Sequence, residues 1–334
     1  MQQSAHQPAP CRTIVTHDAH QLAGNLSRWE RHYEQISTGR FVGALAELNG
    51  ERWQVFQETI SQAVRQSCRV WPGALWFGFL VRGDGSRLNG RPVAENAVLV
   101  RPGGQEFELM TPRAHAMLSV VMCGQLLADA AREAGVALDV NAIGRAELLD
   151  GDGAARAQCM DAIAGLLAPQ DAALASPHGS LSRLGQHGPP DFTQRQAALT
   201  AALLSMLGKS GAQDRPSCHL QRRRHIVRQA RDYMLAQRAQ PISVPQLCAQ
   251  VHVSRRTLQY CFEDVLGVSP MLYLRALRLN GVRRQLLEPV GGRISIGQVA
   301  ADWGFSSFSQ FSCDYRKLFG ESASTSVTGR ALSA

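Results

Sequence analysis

No stretch of the 334-residue sequence approaches the roughly 20 consecutive apolar residues that a membrane-crossing helix requires, which excludes a transmembrane helix. The N-terminus, Met1-Gln-Gln-Ser-Ala-His-Gln-Pro-Ala-Pro, lacks a charged start followed by an apolar core. No secretory signal is therefore expected, and the expected location is the cytoplasm. Cysteine occurs eight times, at 11, 68, 123, 159, 218, 248, 261 and 313, but never as Cys-x-x-Cys, which argues against a zinc ribbon or a disulfide scaffold and for reduced thiols. His-x-His is missing as well. Histidines 6, 17, 20, 32 and 115 do not assemble the clustered His/Glu set of a catalytic metal, and His17 and His20, three apart, lie beside an N-terminus expected to be unstructured. Gly83-Asp84-Gly85 and Gly103-Gly104 open no obvious helix, so they read as hairpin turns instead of phosphate loops. No metal, required cofactor or enzymatic activity is expected. Lysine is nearly absent too: Lys209 and Lys317 are the only two, and arginine carries almost all the positive charge.

That charge is unevenly placed. From Asp214 onward there are 17 Lys and Arg against 8 Asp and Glu, a net of +9 in a chain whose total is +8, so the first 213 residues are close to neutral. A cationic third suggests a polyanionic partner for that third. The same third contains an internal repeat. Ile242-Ser-Val-Pro-Gln-Leu247 recurs as Ile294-Ser-Ile-Gly-Gln-Val299, and Gly267 recurs as Gly320, with one residue added in the turn. Each copy begins with Ser-x-x-Gln, a capping signature for a short helix. A turn follows, Val251–Val253 or Trp303–Phe305, and a second capping serine, Ser254 or Ser307, opens another helix. Leu258, Phe262 and Leu266 in the first copy match Phe311, Tyr315 and Phe319 in the second, one buried stripe per helix. Two helices joined by a tight turn form a helix-turn-helix, whose second member can lie in the major groove of double-stranded DNA.

Pro270–Leu287 reads as one helix between the two motifs, about 27 Å long at roughly 1.5 Å per residue. A rigid spacer of that length suits two recognition helices set into adjacent grooves; Gly281 in its interior costs about 1 kcal/mol against Ala, which a close helix crossing would explain. With the apolar stripe buried, Arg255, Arg256, Gln259 and Tyr260 face outward on the first recognition helix. Arg256 and Gln259 are the best base readers, for guanine and adenine respectively. Phe308, Ser309, Ser312 and Cys313 take the matching positions on the second, which offers little charge and is expected to contribute weaker or shape-based specificity.

Ser254-Arg-Arg-Thr-Leu-Gln, Phe262, Leu266-Gly-Val-Ser-Pro270, Tyr273-Leu-Arg, Arg278-Leu279, Ala301-x-x-Gly304-Phe305 and Phe319-Gly320 agree in order and spacing with the C-terminal domain of the AraC/XylS family of transcription regulators, which residues 222–326 resemble. Ala323 stands where that family usually has proline, and the Ser/Thr-rich tail lacks the usual Tyr-Arg ending. Upstream, Gln54–Thr59, Arg65–Pro72, Trp76–Gly78 and Arg101–Pro112 are similar to sensor domains of the branch that regulates ethanolamine-utilisation operons. The resemblance implies an activator that answers to ethanolamine together with adenosylcobalamin, and partners that include RNA polymerase and a second copy of the chain.

The expected fold is α+β. Met1–His17 is expected to be unstructured, with a helix over Ala19–Gln35. Short strands then follow at Phe41–Leu48, Gln54–Ser61, Leu75–Leu80, Ala97–Val100, Glu106–Met110 and Ala116–Val121. Several short strands suggest a small barrel or sandwich, and the family resemblance makes it a cupin-like β-barrel or jelly roll acting as sensor. Helices at Leu126–Gly135 and Ala154–Leu167 complete this domain, residues 18–167, and suit dimerisation. Residues 168–220 read as a linker holding a helix at Thr193–Gly208, with breaks at Ser176–Pro190 and Gly208–Ser217. Residues 221–326 form the all-α double helix-turn-helix, and 327–334 are a tail. An amine effector wants a carboxylate beside aromatic rings; Glu58, Glu106, Trp71 and Trp76 are the candidates. The competing reading is a DNA-binding regulator whose front domain only dimerises.

Overall fold

The computed structural model describes residues 11–168, 192–212, 217–288 and 295–331. The first ten residues and the break at Ser176–Pro190 lie outside the described residues. The chain starts with β1 (Arg12–Thr16) and α1 (Ala19–Asn25). Ten strands follow: β2 (Trp29–Gln35), β3 (Gly43–Asn49), β4 (Trp53–Ile60), β5 (Val64–Val70), β6 (Ala74–Arg82), β7 (Arg87–Leu88), β8 (Arg91–Pro92), β9 (Ala97–Pro102), β10 (Glu106–Thr111) and β11 (His115–Cys123). After them come α2 (Gly124–Glu133), α3 (Val140–Arg145), β12 (Leu148–Asp150), α4 (Gly153–Leu167), α5 (Phe192–Lys209) and β13 (Gly211–Ala212). The strands build two antiparallel sheets, β1-β3-β4-β11-β6-β9-β12-β13 and β2-β5-β10-β7-β8.

One core lies between the sheets. Tyr33, Cys68, Phe107 and Leu109 of the smaller sheet meet Leu45, Phe56, Trp76 and Met117 of the larger. The opposite face of the larger sheet is covered by helices, with Phe77, Val98 and Val120 against Leu127, Ile163 and Leu203. That double cover explains β6, whose Ala-Leu-Trp-Phe-Gly-Phe-Leu run is buried without alternation. Neither sheet closes on itself, so the front domain is an open two-sheet sandwich instead of a closed barrel. α5, which falls in the stretch read as a linker, packs Leu199, Leu203 and Met206 into this outer core.

Two expectations fail near the N-terminus. Arg12–Thr16 is a strand paired with β3 within the stretch expected to be unstructured. The helix expected over Ala19–Gln35 stops at Asn25, Arg28 takes a positive φ of 64°, and the chain re-enters as β2. The strands expected at Gln54–Ser61, Leu75–Leu80, Ala97–Val100, Glu106–Met110 and Ala116–Val121 correspond to β4, β6, β9, β10 and β11 with ends shifted by a few residues. β2, β5 and the short strands were not expected.

The C-terminal part is all helical: α6 (Cys218–Ala236), α7 (Val244–Gln250), α8 (Arg255–Leu266), α9 (Pro270–Leu287), α10 (Ile296–Asp302), α11 (Phe308–Phe319) and α12 (Ala323–Ala331). Its core gathers Ile226, Ala230, Leu247, Phe262, Tyr273, Val282, Phe311 and Tyr315. The tail after 326 continues α12, with buried Ala323 in the proline position of the resemblance.

Candidate nucleic-acid interface

Each helix-turn-helix is set by its caps. Ser243 accepts from Gln246 N while the Gln246 side chain returns to the Ser243 backbone, a reciprocal pair that starts α7. In the second copy Ser295 caps α10, but the Gln298 amide turns away to Asp302 at 2.9 Å, so the return bond is absent. Ser254 and Ser307 accept from Thr257 N and Gln310 N and start α8 and α11. Both recognition helices end on a left-handed glycine, Gly267 and Gly320, each with φ 72°.

The spacer helix α9 has the bounds its sequence predicts, Pro270–Leu287. Gly281 is where the crossing occurs: a Cβ there would lie 2.2 Å from the Trp303 ring, whose indole N–H donates to Gln285 Oε1 at 3.0 Å. Gly304 in the second turn has φ 78°, and a Cβ on it would lie 2.6 Å from the Arg238 carbonyl oxygen. Only glycine fits either place.

On α8, Arg255, Arg256, Tyr260 and Glu263 are exposed and Gln259 is half-buried. Gln259 donates its amide to Glu263 Oε1 at 2.6 Å. Its N–H2 is therefore committed to a neighbour on the same face, and reading adenine requires that bond to open. Tyr260 carries the Arg223 guanidinium over its ring at 4.6 Å, and Arg223 also pairs with Asp264 at 2.8 Å. On α11, Phe308 is 56% exposed, and Ser309, Ser312 and Cys313 are exposed beside it. Arg316 and Lys317 are exposed one turn further on, so the second helix does carry charge. The sequence signal for Arg316 was available, since it lies four residues beyond Ser312 on the same helical stripe.

The two domains are packed together. Glu34 of β2, fully buried, faces Arg65 at 3.3 Å, the Tyr273 hydroxyl at 3.1 Å and Arg231 at 3.9 Å. Burial alone raises its pKa, but the Arg65 guanidinium, with His32 and Arg231, holds the carboxyl well below the usual range. Asn280 of α9 bonds Gln35 as a strand would, accepting from its N–H at 2.9 Å and donating to its carbonyl at 2.8 Å. Arg283 reaches Asp18 at 2.5 Å and Glu321 at 2.8 Å. All four arginines of α9 are engaged: Arg275 with Asp314, Arg278 with the Gln240 carbonyl, Arg283 as above and Arg284 with His32. The charge of Arg278, Arg283 and Arg284 serves the fold and the docking of the domains, whereas Arg275 is exposed beside its Asp314 partner.

The effector candidates are not brought together as one site. Glu58 is fully buried and paired to Arg31 at 2.9 Å, with the Tyr33 hydroxyl donating to the same carboxylate at 2.9 Å. Trp76 lies in the sandwich core, stacked on Phe107 with centroids 5.0 Å apart and donating to Ser119 Oγ. Trp71 is half-buried beneath the Arg28 guanidinium, 4.0 Å from the ring. Glu106 is exposed and accepts from Ser67 at 2.5 Å. Among the described residues no group of three or more His, Cys, Asp or Glu is arranged to hold a metal, and no helix is long and apolar enough to cross a membrane. The segment Gly83–Ser86 closes as a turn through Ser86 N to Gly83 O.

Paired helix-turn-helix units with exposed second helices define a DNA-binding domain. A family model described as Helix-turn-helix domain matches residues 247–327. The chain is 37% identical over 99 residues to the Probable thc operon regulatory protein of Rhodococcus erythropolis, covering 30% of each. It is 38% identical over 87 residues to XylDLEGF operon transcriptional activator 2 of Pseudomonas putida, covering 26% of this chain and 55% of that one. A solved regulator structure from Chromobacterium violaceum, described as AraC-type DNA-binding domain-containing, is 33% identical, covers 33% of this chain and 96% of that one, and superposes with a TM-score of 0.30. Residues 247–327 of this chain are thus a helix-turn-helix domain, similar in sequence to part of these operon regulators. The chain spans under a third of the first of these curated relatives and about half of the second.

Proposed function

We propose that the chain is a sequence-specific DNA-binding transcription regulator, an activator of a catabolic operon, whose front domain senses a small effector. The observation that carries this is the pair of outward-facing recognition helices, α8 and α11, fixed to one another through α9. The net charge of +9 from Asp214 onward supports it, and so do relatives named as operon regulators. The two-sheet sandwich supports a cupin-like reading of the front domain. RNA polymerase and a second copy of the chain are the protein partners this reading implies.

The effector follows less directly from the likeness to ethanolamine regulators. An amine is drawn to a counter-charge. Glu58 already has one in Arg31, which leaves Glu106 for ethanolamine, with adenosylcobalamin as co-effector. The test of the regulator reading is fluorescence anisotropy of the full chain on duplexes selected from random DNA. Affinity should fall steeply with salt because arginine contacts release counterions. Salt-independent binding, or none above that to random duplex, would sink the reading. Calorimetry with ethanolamine and adenosylcobalamin, singly and together, tests the effector pair, and absence of heat leaves the front domain without it.

A further inference from the structure

The front domain holds a groove of about 430 Å³ where the ends of β6 and β9 meet α3. Its volume lies in the range of small-molecule sites. Arg101, Arg145 and Gln105 line it together with apolar Leu75, Pro102 and Val140. Arg101 is the informative member. Its side chain is only 11% exposed, it donates to Gln105 Oε1 at 3.2 Å, and its one carboxylate partner among the described residues, Glu147, is 3.6 Å away. Glu147 is itself shared: Arg224, from the first helix of the DNA-binding domain, sits 3.1 Å from it, and the Asn89 amide donates to it at 2.5 Å. Two guanidinium groups thus divide one buried carboxylate, and the Nε atoms of both Arg101 and Arg224 are buried without a hydrogen-bond partner. Arg145 adds a further cation at the rim. Burial, together with the nearby Arg224 charge, pushes Arg101 down from its ordinary value despite Glu147. The groove is short of negative charge.

We propose that this groove binds a small carboxylate with an apolar body, its carboxylate on Arg101 and its hydrocarbon part against Leu75, Pro102 and Val140, and that Glu147 passes the event to Arg224. The proposal rests on the sensor reading above but is independent of ethanolamine: Glu106 does not line the groove, and the groove's ligand belongs to a different chemical class. A planar carboxylate matches the donor fork of an arginine; inorganic phosphate can match it too but has no hydrocarbon part for the apolar wall, and a neutral amide has no charge for the arginine. Once the ligand shares Arg101, Glu147 is left to Arg224, and the contact between the sandwich and α6 tightens.

The test uses the full chain and four probes: hexanoate, acetate, inorganic phosphate and hexanamide, each at millimolar concentration. Hexanoate should raise the melting temperature by mass action, acetate and phosphate less, and hexanamide not at all. Arg101→Gln should weaken hexanoate at least about tenfold, the worth of one good polar contact. Arg145→Gln, an exposed change that leaves folding intact, should weaken it several-fold. Arg224→Gln should keep hexanoate binding and lose its effect on DNA affinity. No hexanoate shift, an equal shift with hexanamide, or undiminished binding in both Arg101→Gln and Arg145→Gln would overturn the site. Binding that leaves DNA affinity unchanged in the wild type would overturn the relay. Specific DNA binding is measured on the same samples. Its persistence alongside failed hexanoate binding removes the groove proposal alone, whereas its absence removes the regulator reading.

Discussion

At the scale of single residues, Arg256 and Gln259 should separate from Ser312. Arg256→Ala should cost about 1–3 kcal/mol at one operator half and relax base choice there, since a bidentate base contact is worth that much. Ser312→Ala should cost much less, and competition assays on single-base operator variants would show it if the order were reversed. Glu263→Ala should improve binding modestly by releasing the Gln259 amide. His115 gives a second, pH-linked expectation. Burial lowers it from 6.5 to about 4, so the fold holds it neutral while the unfolded chain takes up a proton at higher pH. Its contribution, about 3 kcal/mol by linkage, is complete above the unfolded value and is lost as pH falls through that window. His115→Gln should flatten the slope of the urea midpoint across it. Glu34, depressed by Arg65, acts only at lower pH, below its ordinary 4.5. An unchanged slope in the variant would assign the acid loss elsewhere.

At the scale of elements, what the sequence revealed depended on whether buried positions were apolar. In the C-terminal third they mostly are, with Arg283, Asp314 and Ser326 as exceptions, and α9 is legible to the residue. Gly281 is consistent with a close crossing, but its partner, Trp303, lies 22 residues away and the sequence does not name it. Gly281→Ala should destabilise by about 1–3 kcal/mol, the ordinary cost of overpacking, read from the urea midpoint of the full chain; a neutral result would mean Trp303 swings aside freely. In the front domain the signal breaks down where polar groups go inside. β5 reads Val-Arg-Gln-Ser-Cys-Arg-Val, and its Arg65 is 1% exposed because Glu34 and Glu108 neutralise it. Such pairs defeat a search for alternating hydrophobicity. The false helix over Ala19–Gln35 has a different cause. Ala19, Leu22, Ala23, Leu26, Trp29 and Tyr33 keep helical spacing through Arg28, whose left-handed conformation carries no local sequence cue. The effector candidates do not gather for the first reason: nothing in the sequence shows that Glu58 has a buried partner, because Arg31 faces it only once β2 is a strand.

At the scale of the whole molecule, the two domains are joined by buried charge. Removing one partner of such a group costs about 3–5 kcal/mol because it leaves the others uncompensated. Glu34→Gln should therefore loosen the docking of α6 and α9 on the sandwich. Calorimetry should then show two unfolding transitions where the wild type should show one, and protease should cut sooner between the domains. One unaltered transition in the variant would mean the docking rests on Arg283–Asp18 and Asn280–Gln35 instead.

The strand β13 has a consequence for how these domains part. Gly211 and Ala212 pair with Asp150 and Leu149 at the sheet edge, and α6 starts at Cys218. Six residue steps reach at most about 20 Å, so an undocked DNA-binding domain is leashed within one domain diameter of its seat. On so short a leash the two surfaces meet at an effective concentration on the order of millimolar. Contacts too weak to hold two free proteins together then suffice to keep the halves closed most of the time. A ligand or an operator that prefers the open arrangement must therefore offset this tethered docking, and shifts the populations only by its difference in affinity for the two states.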